Sequence, residues 1–196
     1  MGLQGSTDLS TLKLVRIGAA LGPDELEPLS ERIKEAFAGI VHECEALDYA
    51  APPVERIEAA LLTQILDHDV GGHVLGLTDV DLVDSSSRDF FTFMFGGKDE
   101  RNHVAVVSTR RLGSRDRNRT RARLLKVALH ELGHNFGLVH HYEYGPSQGG
   151  GYCPMTKGDF NRHGERSYVR AVIDGRGYRF CGRCRSFLER AWGRRA

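Results

Sequence analysis

The run His130-Glu131-Leu132-Gly133-His134 sets two imidazoles four residues apart with a carboxylate beside the first. On a helix, residues at that spacing stand one turn above each other on one face, so both rings reach a single ion. Leu125, Ala128, Leu129, Leu132 and Phe136 recur at helical spacing within Leu124 to Phe136. At about 100° per residue they form one apolar stripe that must face a core, which leaves His130 and His134 on the other side. Glu131, one residue round from His130, is placed to meet a water on the ion rather than the ion itself. Gly137 follows His134 where a residue without a side chain can take the positive φ that ends a helix. A chain reversing there delivers a third imidazole, His140. Three protein ligands leave one tetrahedral position open, as hydrolysis needs, and zinc is the metal that suits imidazoles and acts as a Lewis acid without redox change. With 9 His, 13 Glu and 23 Gly in 196 residues, the full string arises by chance on the order of once in several thousand such chains.

The four cysteines, Cys44, Cys153, Cys181 and Cys184, are too few and too unevenly spaced for a disulfide framework. Three cluster late in the chain, and in a reducing compartment such a cluster points to metal; a redox or inert thiol pair is the alternative for Cys181 and Cys184. No strand-then-helix pattern precedes Cys181 in the manner of thioredoxin, which weighs against redox. Residues 138 to 180 are rich in glycine and polar residues and show little apolar periodicity. A metal clip would order such a segment and contribute folding free energy directly.

The string from His130 to His140 resembles the long zinc signature of the metzincins, with Met155 as the methionine of the turn beneath the metal. A closer resemblance is to the archaemetzincins, in which a cysteine follows the third histidine, another stands two before the methionine, and a Cys-x-x-Cys pair comes later. Cys153-Pro154-Met155 and Cys181-Gly182-Arg183-Cys184 match those elements. Position 141 is histidine rather than cysteine, and eleven residues separate it from Cys153, a longer interval than the family pattern. Because histidine can replace cysteine on zinc, the resemblance implies a closed structural site on His141, Cys153, Cys181 and Cys184, with His163 or Cys44 as alternatives for the fourth ligand. Two zinc ions are therefore expected, one catalytic and one structural. Since His141 adjoins His140, the second would also fix the loop carrying the first one's third ligand. The family further implies a zinc metallopeptidase acting on peptides or proteins, with Glu131 as general base and aminopeptidase action in some members. Exo- and endopeptidase action both stay open. Lys157 stands where some metzincins carry a tyrosine ligand, so no fifth ligand is expected, and Tyr142, Tyr144 and Tyr152 are candidates to reach the transition state.

The elements that must position these residues alternate strand and helix. Leu12 to Ile17 reads as a first strand; Leu26, Leu29, Ile33 and Phe37 mark an amphipathic helix; Val41 to Leu47 follows as a second strand. Ile57, Leu61 and Ile65 mark a second helix, and His73 to Leu77 a further strand. Phe90 to Phe95 and His103 to Ser108 are predicted to form a hairpin around a seven-residue loop from Gly96 to Asn102. The fold class is α+β: a mixed, mostly parallel sheet with an antiparallel edge strand, an active-site helix and a small zinc-clipped C-terminal subdomain. The resemblance, sharpest over residues 124 to 184, implies one domain with an upper lobe over about 10–137, a lower lobe over about 138–196 and a cleft between them. It also makes His103 to Ser108 the antiparallel edge strand above that cleft.

Lys and Arg number 27 against 26 Asp and Glu, a net charge of +1 that attracts neither nucleic acid nor anionic membrane chain-wide. No apolar run has membrane-spanning length and no secretory signal is read, so a cytoplasmic monomer is expected. Met1 to Ser6 fits the loose N-myristoylation pattern but is read as a tail. Seven arginines between Arg110 and Arg123 are read as a solvated loop and first helical turn, because no aromatic residues interleave to stack on bases. The rival functional reading is a catalytically weak or inactive zinc-stabilised protein that binds peptides or polyanions through that run.

Overall fold

The computed structural model describes residues 11–18, 20–86, 93–98, 102–141, 150–158 and 167–193. The myristoylation pattern, His163, Tyr142 and Tyr144, with parts of the predicted hairpin, lie outside the described residues.

The central sheet runs β2 (Glu43–Tyr49), β1 (Thr11–Ile17), β4 (His73–Thr78), β8 (Val104–Ser108), β7 (Gly96–Lys98). The first four strands are mutually parallel, and β7 pairs antiparallel with β8. A second, three-stranded sheet is ordered β3 (Arg56–Glu58), β5 (Asp81–Val83), β6 (Phe93–Met94).

Side chains alternate across the inner strands, and both faces are covered. Leu12, Leu14, Leu75, Leu77, Ala105 and Val107 join one core with α1 (Pro23–Ala36) and α3 (Arg117–Asn135). Val15, Ile17, Val74, Val104 and Val106 join the other with α2 (Ala59–Asp69). Gly76 opens a notch on the second face: a Cβ there would lie 2.6 Å from Leu66 Cδ1 and 3.1 Å from Val106 Cγ1. The first core continues past α3 into Cys153, Met155, Val172, Phe180 and Leu188, so the C-terminal part, including α4 (Gly182–Trp192), packs on the same apolar mass.

Several elements differ from the sequence reading. His103 to Ser108 is not the antiparallel edge strand: β8 lies inside the sheet, parallel to β4, and the edge is β7. Gly96 to Lys98, predicted as loop, makes the hairpin with β8, whereas Phe93 and Met94 pair with β5 in the second sheet. Two glycines carry little strand propensity, so only their register against Val106 and Val107 makes them a strand. In α2 the buried residues are Ala59, Leu62, Thr63 and Leu66, while Leu61 is 49% exposed and Ile57 belongs to β3. Two apolar stripes compete on that helix, and the notch at Gly76 receives Leu66.

Helix α3 begins seven residues before the predicted Leu124, at Arg117, where the Asp116 carboxylate accepts from the Asn118 N–H at 2.9 Å. Glu25 ties α1 to it, accepting from the Gly22 N–H at 2.8 Å and from Arg121 at 2.6 Å. Those two contacts hold the Glu25 carboxyl below its ordinary value. Among the described residues no helix is long and apolar enough to cross a membrane.

Leu62→Ala is expected to cost about 2–5 kcal/mol of unfolding free energy and Leu61→Ala less than about 0.5. Urea denaturation of the two variants checks this; equal losses would mean that the wrong face of α2 has been assigned to the core.

Candidate active site and second metal centre

Leu125, Ala128, Leu129, Leu132 and Phe136 are all buried, as their spacing predicts. The helix is enclosed further round than that stripe, so His130 and Glu131 are also buried, at 7% and 8% exposure. Helix α3 ends at Asn135, and the chain turns at Gly137, whose φ is +84°. There the Leu138 N–H donates to the Gly133 carbonyl at 2.9 Å and the Gly137 N–H to that of His134 at 2.9 Å, satisfying two terminal acceptors. Trp192 Nε1 reaches the Phe136 carbonyl at 2.8 Å, so the end of α4 caps the end of α3.

The reversed chain brings His140 back to the helix. Its Nε2 lies 2.9 Å from His134 Nε2 and 3.1 Å from His130 Nε2. On the far side of two rings, Nδ1 faces a carbonyl: Pro154 O at 2.8 Å for His130 and Leu138 O at 2.8 Å for His134. Nδ1 therefore carries the proton in each, leaving both Nε2 lone pairs turned inward. Two inward lone pairs face His140 Nε2 across this gap, an arrangement that a shared cation would satisfy on all three rings. A tetrahedral zinc with bonds of 2.0–2.1 Å would hold its nitrogen ligands roughly 3.3 Å apart, so the donor set and spacing suit that ion. Burial pushes His130 well below its ordinary value and His140 down to about 4, which keeps the imidazoles in their neutral, ligating form.

Burial likewise pushes the Glu131 carboxyl up to about 7, against the opposing charges of Arg176 and Lys98. Strand β7 passes directly over this carboxylate: a Cβ on Gly96 would come 2.7 Å from Glu131 Cγ and 2.9 Å from the Val106 carbonyl. Met155 is fully buried on the other side of the helix, and a Cβ on Gly133 would collide with its Sδ. Met155 and the Pro154 carbonyl thus meet α3 from one turn, the placement expected of the methionine.

His141, Cys153, Cys181 and Cys184 form a second cluster, with all four ligand atoms within 4.8 Å of one another. His141 Nε2 is 3.2 Å from Cys184 Sγ and 3.5 Å from Cys181 Sγ, and Cys153 and Cys184 sulfurs stand 4.0 Å apart. The Cys181 N–H donates to Cys153 Sγ at 3.4 Å, and Cys181 caps α4. The hydrogen bond from Cys184 draws the Cys153 thiol down to about 5, while the same contact pushes Cys184 up. Binding a tetrahedral cation here would release the protons these thiols carry. Cys44, half-buried on β2, is not part of the cluster.

Two charged residues near Glu131 carried no sequence signal. Arg176 is 4% exposed, and its Nη2 and Nε donate to the Thr156 carbonyl at 2.9 and 3.2 Å. Lys98, in the predicted loop, reaches the His134 carbonyl at 3.4 Å. Tyr152 pairs through its backbone with Arg176 and lays its ring on Gly175. Within the arginine run, Arg111, Arg121 and Arg123 are held by Asp81, Glu25 and Asp174.

A mixed sheet over a helix bearing two histidines, with a third returned to it and a buried methionine beneath, defines a metzincin-like domain. No family model matches the chain. It is similar to the archaemetzincin of Pyrococcus furiosus, 33% identical over 127 residues, covering 62% of this chain and 56% of that protein. It is also similar to the archaemetzincin of Methanopyrus kandleri, 33% identical over 119 residues, covering 60% and 55%. The chain thus spans about half the length of the curated relatives it matches. Against the crystal structure of the Methanopyrus kandleri archaemetzincin the TM-score is 0.72 at 25% identity, covering 98% of this chain and all of that one. A structure described as a zinc-dependent peptidase from Methanocorpusculum labreanum shares the fold, with a TM-score of 0.62 at 20% identity. In sequence and in fold the chain is thus similar to archaemetzincins.

Gly133→Ala is expected to lower stability by about 1–3 kcal/mol, because Met155 must shift to admit a methyl group. Thermal unfolding measures it, and an unchanged midpoint would remove Met155 from beneath the helix.

Proposed function

We propose that this chain is a zinc metallopeptidase in which His130, His134 and His140 hold the catalytic ion and Glu131 is the general base. The observation that carries this reading is the convergence of three Nε2 atoms beside a buried carboxylate on the same helix. The names of its relatives support the class, and the His141, Cys153, Cys181 and Cys184 cluster supports a second, structural zinc.

Zinc, when bound, supplies Lewis-acid polarisation of a carbonyl and acidifies a water. Glu131 takes that water's proton and passes it to the departing amine. Its placement between α3 and Gly96 restrains the carboxylate, so proton transfer requires no large side-chain search. Strand β7 is the edge of the sheet and crosses Glu131, so an extended peptide adding to that edge passes the base. The Pro154 and Leu138 carbonyls orient the two helical imidazoles. A narrower form of the reading, supported by the family resemblance, is removal of residues from free amino termini.

Glu131→Gln is expected to retain two zinc ions per chain by metal analysis while peptide hydrolysis falls by a factor of about 10²–10⁴. Cleavage at the wild-type rate in that variant would sink the assignment. If the enzyme is an aminopeptidase, N-acetylated peptides will resist digestion while their free counterparts are cut; equal cleavage of both makes it an endopeptidase.

A further inference from the structure

Far from the three histidines, five arginines surround a concavity of about 450 Å³: Arg111, Arg115, Arg119, Arg123 and Arg170, with Ser114 at its wall. They come from three segments, the turn after β8, the first half of α3 and the π-helical turn Val169–Ile173. Arg119 and Arg123 lie about 16 and about 10 Å from His130 along the helix axis, and none of the three histidines lines this pocket.

Two of the five guanidiniums form a rigid floor. Arg123 makes a two-pronged pair with Asp174 at 2.7 and 2.8 Å, donates to the Leu112 and Gly113 carbonyls at 3.2 and 3.1 Å, and has a side chain 8% exposed. Arg111 makes the same paired contact with Asp81 at 2.7 and 2.8 Å. Neither carboxylate is reserved for its arginine: Asp81 also meets Arg56 at 3.3 Å, and Asp174 feels Lys126 and Arg119. Asp116 is engaged with the Asn118 N–H. No carboxylate lines the pocket among the described residues, and Arg115, Arg119 and Arg170 are exposed around it. With Arg111 and Arg123 paired to carboxylates, the local excess of positive charge in this concavity comes from Arg115, Arg119 and Arg170.

We propose that this pocket binds a small, multiply charged phosphate-type anion of about the size of pyrophosphate. The exposed guanidiniums of Arg115, Arg119 and Arg170 can match phosphate oxygens two at a time, and the floor fixed by the Arg111–Asp81 and Arg123–Asp174 pairs lowers the ordering cost of binding. The volume is that of a small-molecule site rather than a macromolecular groove. Among the described residues no aromatic side chain lines it to stack a nucleobase, so recognition rests on the phosphate groups and not on nucleic acid.

The zinc-loaded chain is titrated with inorganic pyrophosphate, followed by calorimetry and phosphorus NMR, with zinc content measured before and after. One anion per chain is expected, with binding weakened by added salt and reduced roughly tenfold by Arg119→Gln and again by Arg170→Gln. Both side chains are exposed, so the variants keep the fold. Binding unchanged in the double variant, or heat that tracks zinc extraction equally in variant and parent, would overturn the proposal. Capture of a single-stranded oligonucleotide without capture of pyrophosphate would also overturn it, in favour of a polyanion surface.

Discussion

Everything near the three histidines depends on the chain reversing in one residue at the end of α3. Gly137 supplies the positive φ, a conformation that costs a residue with a side chain about 1–3 kcal/mol. The reversal leaves helical carbonyls without intrahelical partners, and each is met by something else the site requires. Leu138, whose N–H closes on Gly133, turns its own carbonyl to His134 Nδ1, and Trp192 of α4 takes the Phe136 carbonyl. Termination of the helix, orientation of the His134 ring and docking of the last helix are therefore parts of one hydrogen-bonded arrangement.

The two histidine-bearing clusters are linked through neighbouring backbone. His140 and His141 are consecutive, yet one turns to α3 and the other to the cysteines. The His141 N–H donates to Met155 O at 3.0 Å and Lys157 N–H to His141 O at 2.8 Å, which pairs this segment with the methionine turn. That same turn offers the Pro154 carbonyl to His130, and Arg176 grips its Thr156 carbonyl from beneath. A guanidinium as deeply buried as Arg176 is costly in isolation, and the facing charge of Glu131 offsets part of that cost. Its charge and Lys98 oppose the rise that burial alone imposes on Glu131.

Much of this was legible in residue order because it is local. The 3.6-residue period marked the buried face of α3 and the histidine spacing named the first cluster, while the second was named by the family resemblance, even where His141 departs from its pattern. The parallel strands were legible because burial on both faces demands continuous apolar residues, as in His73–Thr78. In α2 the same reasoning picked the wrong stripe, since Leu61 and Leu62 are equally apolar and only the notch at Gly76 distinguishes their sides. The arginine run read as a solvated segment, and three of its members instead bind carboxylates from other elements.

Sequence by itself determined the histidine pair and its helical spacing, the glycine at the turn and the carboxylate beside the first histidine. These are consequences of short-range geometry, where a fixed rise and rotation per residue place neighbours without reference to the rest of the chain. Tertiary structure alone decided that Gly96 to Lys98 forms the sheet edge over Glu131, that Arg176 is buried beneath the methionine turn, and that arginines from three segments share one pocket. Those outcomes depend on strand register and on contacts between residues distant in the chain, whose energies come from packing and burial rather than from any local preference.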